Sequence, residues 1–146
     1  MVNAKFKIQT NQANSNINGT AISPYEIPGY GAKYDGTTSG KFTMTGIDYT
    51  QGFVLGGNGC ALFNLDGQYN NIKVRVGHID GSFGRDGTIT IYLNGKQSQQ
   101  IEVNCDDVSK VITIPVNKAI QMKIEFEDSD GLDNATGCGF SNMIGY

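Results

Sequence analysis

Apolar and polar residues alternate with a period of two over much of this chain. The pattern is cleanest over 120–127, where Ile120, Met122, Ile124 and Phe126 are apolar and Lys123, Glu125 and Glu127 stand between them. A period of two puts alternate side chains on opposite faces of an extended strand, so this segment predicts a strand with one buried and one wet face. The same alternation marks residues 4–9, 72–76 and 89–93. All four segments are expected to turn their apolar side towards a common core.

Between the strand-like runs 88–93 and 100–103 lies Asn94-Gly95, a pair favoured where both turn residues need a positive φ, and this predicts a β-hairpin. Further strands are predicted at 41–46, 51–55, 60–65, 110–116 and 138–144, separated by Gly, Asn and Asp at the spacing of all-β sandwiches. No stretch combines helical periodicity with a cap. The expected fold class is all-β, a two-sheet antiparallel β-sandwich. Residues 10–40 are polar at first and then bring Tyr25, Tyr30 and Tyr34 in among Pro and Gly. They read as a long N-terminal surface excursion within a single domain spanning 1–146, because a separate domain would leave strand 4–9 without a core.

Composition narrows the function. The 146 residues include 20 glycines without a period of three, and charged residues make up only 17%, which excludes collagen, a coiled coil and a disordered chain. The net charge is −3 and the cations are scattered, so nucleic acid is not an expected partner. No apolar run is long enough to predict insertion in a membrane. The first residues, Met1-Val-Asn-Ala-Lys5, lack the basic and apolar regions of a secretory signal, a pattern that an excised domain would share. Cys60, Cys105 and Cys138 form no C-x-x-C pair and have one histidine, His78, to help them. Zinc is therefore not expected; at most one disulfide can form, and the sequence leaves open whether any does. Small buried hydrophobes are the reading of these cysteines.

Enzymatic chemistry finds little to use. Neither G-x-S-x-G nor a P-loop occurs, and the single histidine gives a nucleophile few bases to pair with. Asp80 with Asp86, or Glu125 with Asp128, can be nominated as a carboxylate pair, but nothing separates them from ordinary turn and strand-face acids. The expectation is a domain that is not an enzyme.

Recognition is better served. A sugar offers a flat C–H face beside hydroxyls, and its receptor supplies an aromatic plane with fixed polar groups. Tyr25, Tyr30 and Tyr34 lie in a loop region of the kind that carries recognition on a rigid sandwich; alternatively their rings fold back over an open sheet. Without any Trp, a small loop pocket suits the chain better than a wide flat surface. The loop 77–87 packs His78, Asp80, Arg85 and Asp86 among glycines, the polar kit a saccharide requires, although the same acids can cap backbone amides and pair with Arg85. Asn58, in a neighbouring Gly-rich turn, completes the candidate glycan-binding set. Asp128, Asp130 and Asp133 can be read as oxygen ligands of a structural Ca²⁺ or as a solvated acidic turn.

Four segments in order, Gly46-Ile-Asp-Tyr-Thr-Gln-Gly-Phe-Val-Leu55, Ala61-Leu-Phe-Asn-Leu-Asp-Gly-Gln-Tyr-Asn-Asn-Ile72, Val76-Gly-His-Ile-Asp80 and Ile91-Tyr-Leu-Asn-Gly-Lys96, resemble the NPCBM family of carbohydrate-binding modules over about residues 41–127. The resemblance implies a jelly-roll or galactose-binding-like β-sandwich that binds glycans without catalysis. It also implies an extracellular or cell-surface setting, as an accessory domain of a bacterial glycoside hydrolase or another multidomain surface protein. Asp80 matches the acid of the family's "v-G-x-D" motif. The rival expectation is a structural or protein-interaction module, a spacer or adhesion domain that keeps the scaffold without a sugar site.

Overall fold

The structure, a computed structural model, describes residues 19–82, 86–128 and 136–146. Among them are twelve strands: β1 (Thr20–Ala21), β2 (Gly31–Asp35), β3 (Phe42–Met44), β4 (Ile47–Tyr49), β5 (Gln51–Gly56), β6 (Gly59–Asn64), β7 (Asn71–His78), β8 (Gly87–Leu93), β9 (Lys96–Val103), β10 (Lys110–Pro115), β11 (Gln121–Asp128) and β12 (Thr136–Gly145). No helix occurs among the described residues. One sheet has the order β10-β7-β12-β5-β2, with β1 added to the far end of β12, and the other has the order β6-β11-β8-β9. Every pairing is antiparallel.

The alternation read from the sequence sets the core. Ile72, Val74 and Val76 from β7, Ile89 and Ile91 from β8, and Met122, Ile124 and Phe126 from β11 all join one buried cluster between the sheets. Phe53 stacks on Phe140 at 4.5 Å between ring centroids and meets Phe63 of the opposite sheet at 5.6 Å. Ile120, expected in the same row, is instead 52% exposed, because β11 begins one residue later. The Asn94-Gly95 hairpin forms as expected, with φ of 51° and 84°. There the Asn94 side-chain oxygen also accepts the N–H groups of Ile120 and Gln121, tying the turn to the start of β11.

The predicted strand 41–46 needs correcting. It runs through a two-residue turn, Thr45-Gly46, with φ of 53° and 77°, so the segment becomes the hairpin β3–β4. A lone hairpin is marginal in water, and this one is held against the outer face of the larger sheet. Phe42 and Met44 bury themselves there with Val54 and Ile79 in a second apolar cluster. Two glycines make room: a Cβ on Gly139 would lie 2.9 Å from Met44 Sδ and 2.9 Å from Phe42 Cε2, and one on Gly77 would lie 3.3 Å from Met44 Sδ. An exposed Lys41–Asp48 ion pair at 2.8 Å adds little by itself.

Within the excursion 10–40, the described part stays on the surface yet contributes strands. β2 hydrogen-bonds along the edge of β5, and Glu26 bridges to Leu62 on the edge of β6. The excursion thus covers the neighbouring open edges of both sheets, which would otherwise present unpaired backbone. The predicted strand 4–9 lies outside the described residues. Cys60, Cys105 and Cys138 are all free thiols. Only Cys138 is fully buried as expected; Cys60 and Cys105 are half-buried.

Candidate functional site

Strand register gathers the candidate residues at one end of the sandwich. Leu55 pairs with Cys138, and Cys138 with His78, so β5 ends, β7 ends and β12 begins at the same level. Across the two-residue turn 57–58, β6 starts the second sheet, whose neighbouring ends are Asp128 and Gly87. The β5–β6 turn, the β7–β8 loop, the β9–β10 loop and the start of β2 therefore share one rim.

Tyr30 stands on this rim and is 51% exposed. Its carbonyl accepts the Gly56 N–H at 2.9 Å and sits so close to β6 that a Cβ on Gly59 would lie 2.3 Å from it. The glycines of the Gly56-Gly-Asn-Gly59 turn thus seat the Tyr30 backbone while its ring faces solvent. Asn58, in the same turn, is exposed and takes a φ of 61°, a conformation Asn tolerates better than most residues. Tyr25 is 57% exposed but lies lower, where its N–H reaches the Leu62 carbonyl midway along β6. Tyr34 goes elsewhere: its ring packs on Phe42 at 5.1 Å and closes the second cluster. Of the three tyrosines, the structure brings only Tyr30 to the loop rim.

In the β7–β8 loop the acids serve the backbone. The two carboxylate oxygens of Asp80 accept the N–H groups of Thr45, at 3.0 Å, and Gly46, at 2.7 Å. Asp86 accepts the Cys105 N–H at 2.9 Å. The capping alternative weighed from the sequence therefore operates at both acids. His78 is half-buried, with Nε2 at 3.3 Å from Ser82 Oγ, which itself donates to the Ile79 carbonyl at 2.7 Å. Arg85 lies outside the described residues.

By strand alternation His78 shares the core-facing side of Val76, and Asp128 that of Phe126, so both stand at the mouth between the sheets. Asp130 and Asp133 lie outside the described residues, and among the described residues no group of three His, Cys, Asp or Glu is placed to hold a metal ion. No helix there is long and apolar enough to cross a membrane.

Burial pushes the Cys138 thiol far above its ordinary range. Burial also raises Cys60, and burial with the Asp106 carboxylate raises Cys105, both more modestly. Thiolate is the reactive form. A thiol reagent near neutral pH is expected to label Cys60 and Cys105 in the folded protein and Cys138 only at the rate of unfolding. Mass spectrometry of timed samples checks this, and equally fast labelling of all three would contradict it.

Sequence reasoning missed the residues that tie the rim together, namely Thr45, Gly46 and Ser109. A Gly following Thr45 was the one available turn signal. Nothing along the chain links position 45 to position 80 or 109.

Solved structures share this fold. CBM51-2 of Clostridium perfringens ZmpB, solved with GlcNAc and together with INT domains, matches at a TM-score of 0.70 and 12% identity, covering 90% of this chain and 32% of that one. CBM51 from Clostridium perfringens GH95, in complex with methyl-galactose, matches at 0.64 and 15% identity, covering 84% and 94%. The tandem CBM51 modules of the Streptococcus pneumoniae family 98 glycoside hydrolase match at 0.55 and 10% identity, covering 71% and 34%. This chain thus spans about a third of the first of these, and it shares with these CBM51 modules the two-sheet antiparallel β-sandwich expected from its sequence. No family model and no curated protein matches the chain.

Proposed function

We propose that this domain binds a saccharide end or short glycan without catalysis, through the rim that carries Tyr30, Asn58 and His78. The observation that carries the reading is Tyr30, an aromatic residue half in solvent on a glycine-seated backbone, at the same end of the sandwich as the Asn58 turn and the end of β7 at His78. A ring so placed offers a plane for the C–H face of a sugar, and its neighbours offer donors and acceptors for hydroxyls. Two of the described rim carboxylates, Asp80 and Asp86, are occupied with backbone amides, which favours binding over hydrolysis. An extracellular or cell-surface setting inside a larger protein goes with this reading. It is supported by neighbours such as the Clostridium perfringens ZmpB structure that holds an M60 catalytic domain with CBM51-1 and CBM51-2.

The test is a glycan array followed by calorimetry. Galactose- and GlcNAc-terminated ligands come first, since similar modules were solved with methyl-galactose and GlcNAc. Tyr30→Ala is expected to weaken binding about tenfold or more, equivalent to roughly 1.4 kcal/mol, with little change in melting temperature because the ring is exposed. The reading falls if no saccharide binds the wild-type domain more tightly than about millimolar.

One observation favours a protein-interaction module instead. Ile47, Val108 and Val111 are 55%, 69% and 49% exposed around the corner where the β3–β4 hairpin meets the β10 edge. Substituting Ile47 and Val111 with Ser is expected to leave saccharide binding intact, whereas a protein-interaction module would bind no saccharide with or without these substitutions.

A further inference from the structure

We propose that Thr45 is a strained latch that, with Asp80, orders the β9–β10 loop at the binding rim; Asp80 is on this account a positioning residue rather than a sugar ligand. The role at the rim rests on the saccharide-binding reading above. Thr45 and Gly46 form a two-residue hairpin turn with both φ values positive, 53° and 77°. Such turns favour Asn or Gly at the first position, and a β-branched residue there is a backbone outlier. Nothing in hairpin formation itself accounts for Thr at this point.

Its hydroxyl does. Thr45 Oγ1 accepts the N–H of Ser109 at 2.8 Å, across 64 residues of sequence. Ser109 is gripped from the other side by Arg75, whose Nη1 donates to the Ser109 carbonyl at 3.1 Å and to its hydroxyl at 3.2 Å. The turn that presents the threonine is fixed in turn by Asp80, which takes one N–H on each carboxylate oxygen, while the Asp80 N–H returns to the Thr43 carbonyl at 2.9 Å. Asp86 holds the other end of the same loop through Cys105. Asp80 and Asp86 thus each hold a neighbouring connection, 45–46 and 104–109 respectively, and the Thr45 hydroxyl ties those two connections to one another. Residues held in sparsely populated backbone regions persist where the surroundings over-determine them, and they concentrate at functional sites. Order in the loop before binding spares a ligand the entropy of imposing it.

The experiment compares Thr45→Gly, Thr45→Ser and Asp80→Asn in the whole domain, by amide exchange at Ser109, saccharide affinity and thermal melting. Glycine relieves the backbone strain while deleting the hydroxyl, so its melting temperature is expected within about 3 °C of wild type. The Ser109 amide is nevertheless expected to exchange about tenfold faster, with affinity about fivefold weaker. Serine keeps the hydroxyl and is expected to behave as wild type. Asp80→Asn, which turns an NH₂ towards one of the two amides, is expected to speed exchange at Thr45 or Gly46 and at Ser109 together. Unchanged Ser109 exchange in Thr45→Gly, or a serine variant as loose as glycine, overturns the latch. Should the wild-type domain bind no saccharide, the glycan reading fails separately, and the exchange measurements still decide the latch.

Discussion

Replacing Gly52 with alanine is expected to lower the melting temperature by roughly 10 °C or more, corresponding to about 3 kcal/mol lost. Gly52 is in β5 with a φ of 141°, a conformation that L side chains rarely adopt. It pairs with Ser141 of β12 so closely that an added Cβ would lie 2.0 Å from the Phe140 carbonyl oxygen and 2.9 Å from the Ser141 Cα. Both obstacles are backbone, so no side chain can swing aside. The alternative is to part β5 from β12 in the middle of the larger sheet, where Phe53 and Val54 feed the two apolar clusters from opposite faces of one strand. Thermal unfolding followed by circular dichroism decides the matter; a variant melting within about 2 °C of wild type would show that the strands tolerate the methyl group.

Phe140→Ala is expected to cost about 3–5 kcal/mol, the usual range for emptying a buried aromatic position. The ring is 1% exposed and lies nearly parallel to Phe53, with 8° between planes. Phe53 in turn meets Phe63 across the sandwich in a tilted contact, so the deletion removes one member of a three-ring cluster that joins the sheets. Neighbours on paired strands cannot collapse into the space without breaking ladder hydrogen bonds, and that keeps the cost near the upper part of the range. Urea denaturation should show a lower midpoint at an unchanged slope, with Phe140→Leu falling between the variant and wild type. A midpoint shift no larger than that of an exposed-site substitution would contradict the packing described.

Neither of these positions announces itself in the sequence, and the contrast with what is legible there has a physical basis. Strands β7, β8 and β11 could be read because each repeats apolar residues at a spacing of two, and burial acts on every second residue of such a strand whichever partner it finds. Asn94-Gly95 could be read because a turn's φ requirements are local. β2, with the sequence Gly-Ala-Lys-Tyr-Asp, shows no such alternation; it is a strand because the edge of β5 offers hydrogen bonds. The hairpin β3–β4 was hidden for a related reason, since a threonine in its turn goes against local preference and is held by groups far along the chain.

The candidate site divides the same way. The glycine-rich loop around His78 and the tyrosines of the excursion were visible as residue types suited to recognition. Their fates were not: Tyr30 meets the rim, Tyr34 covers Phe42, and Asp80 and Asp86 cap amides from other loops. By itself the sequence determined the all-β class, most strand positions and the alternating core, because those depend on periodicity and local turn chemistry. Only the tertiary structure decided which loops meet, which ring stays in water and which carboxylates are already engaged, because those depend on register between strands tens of residues apart.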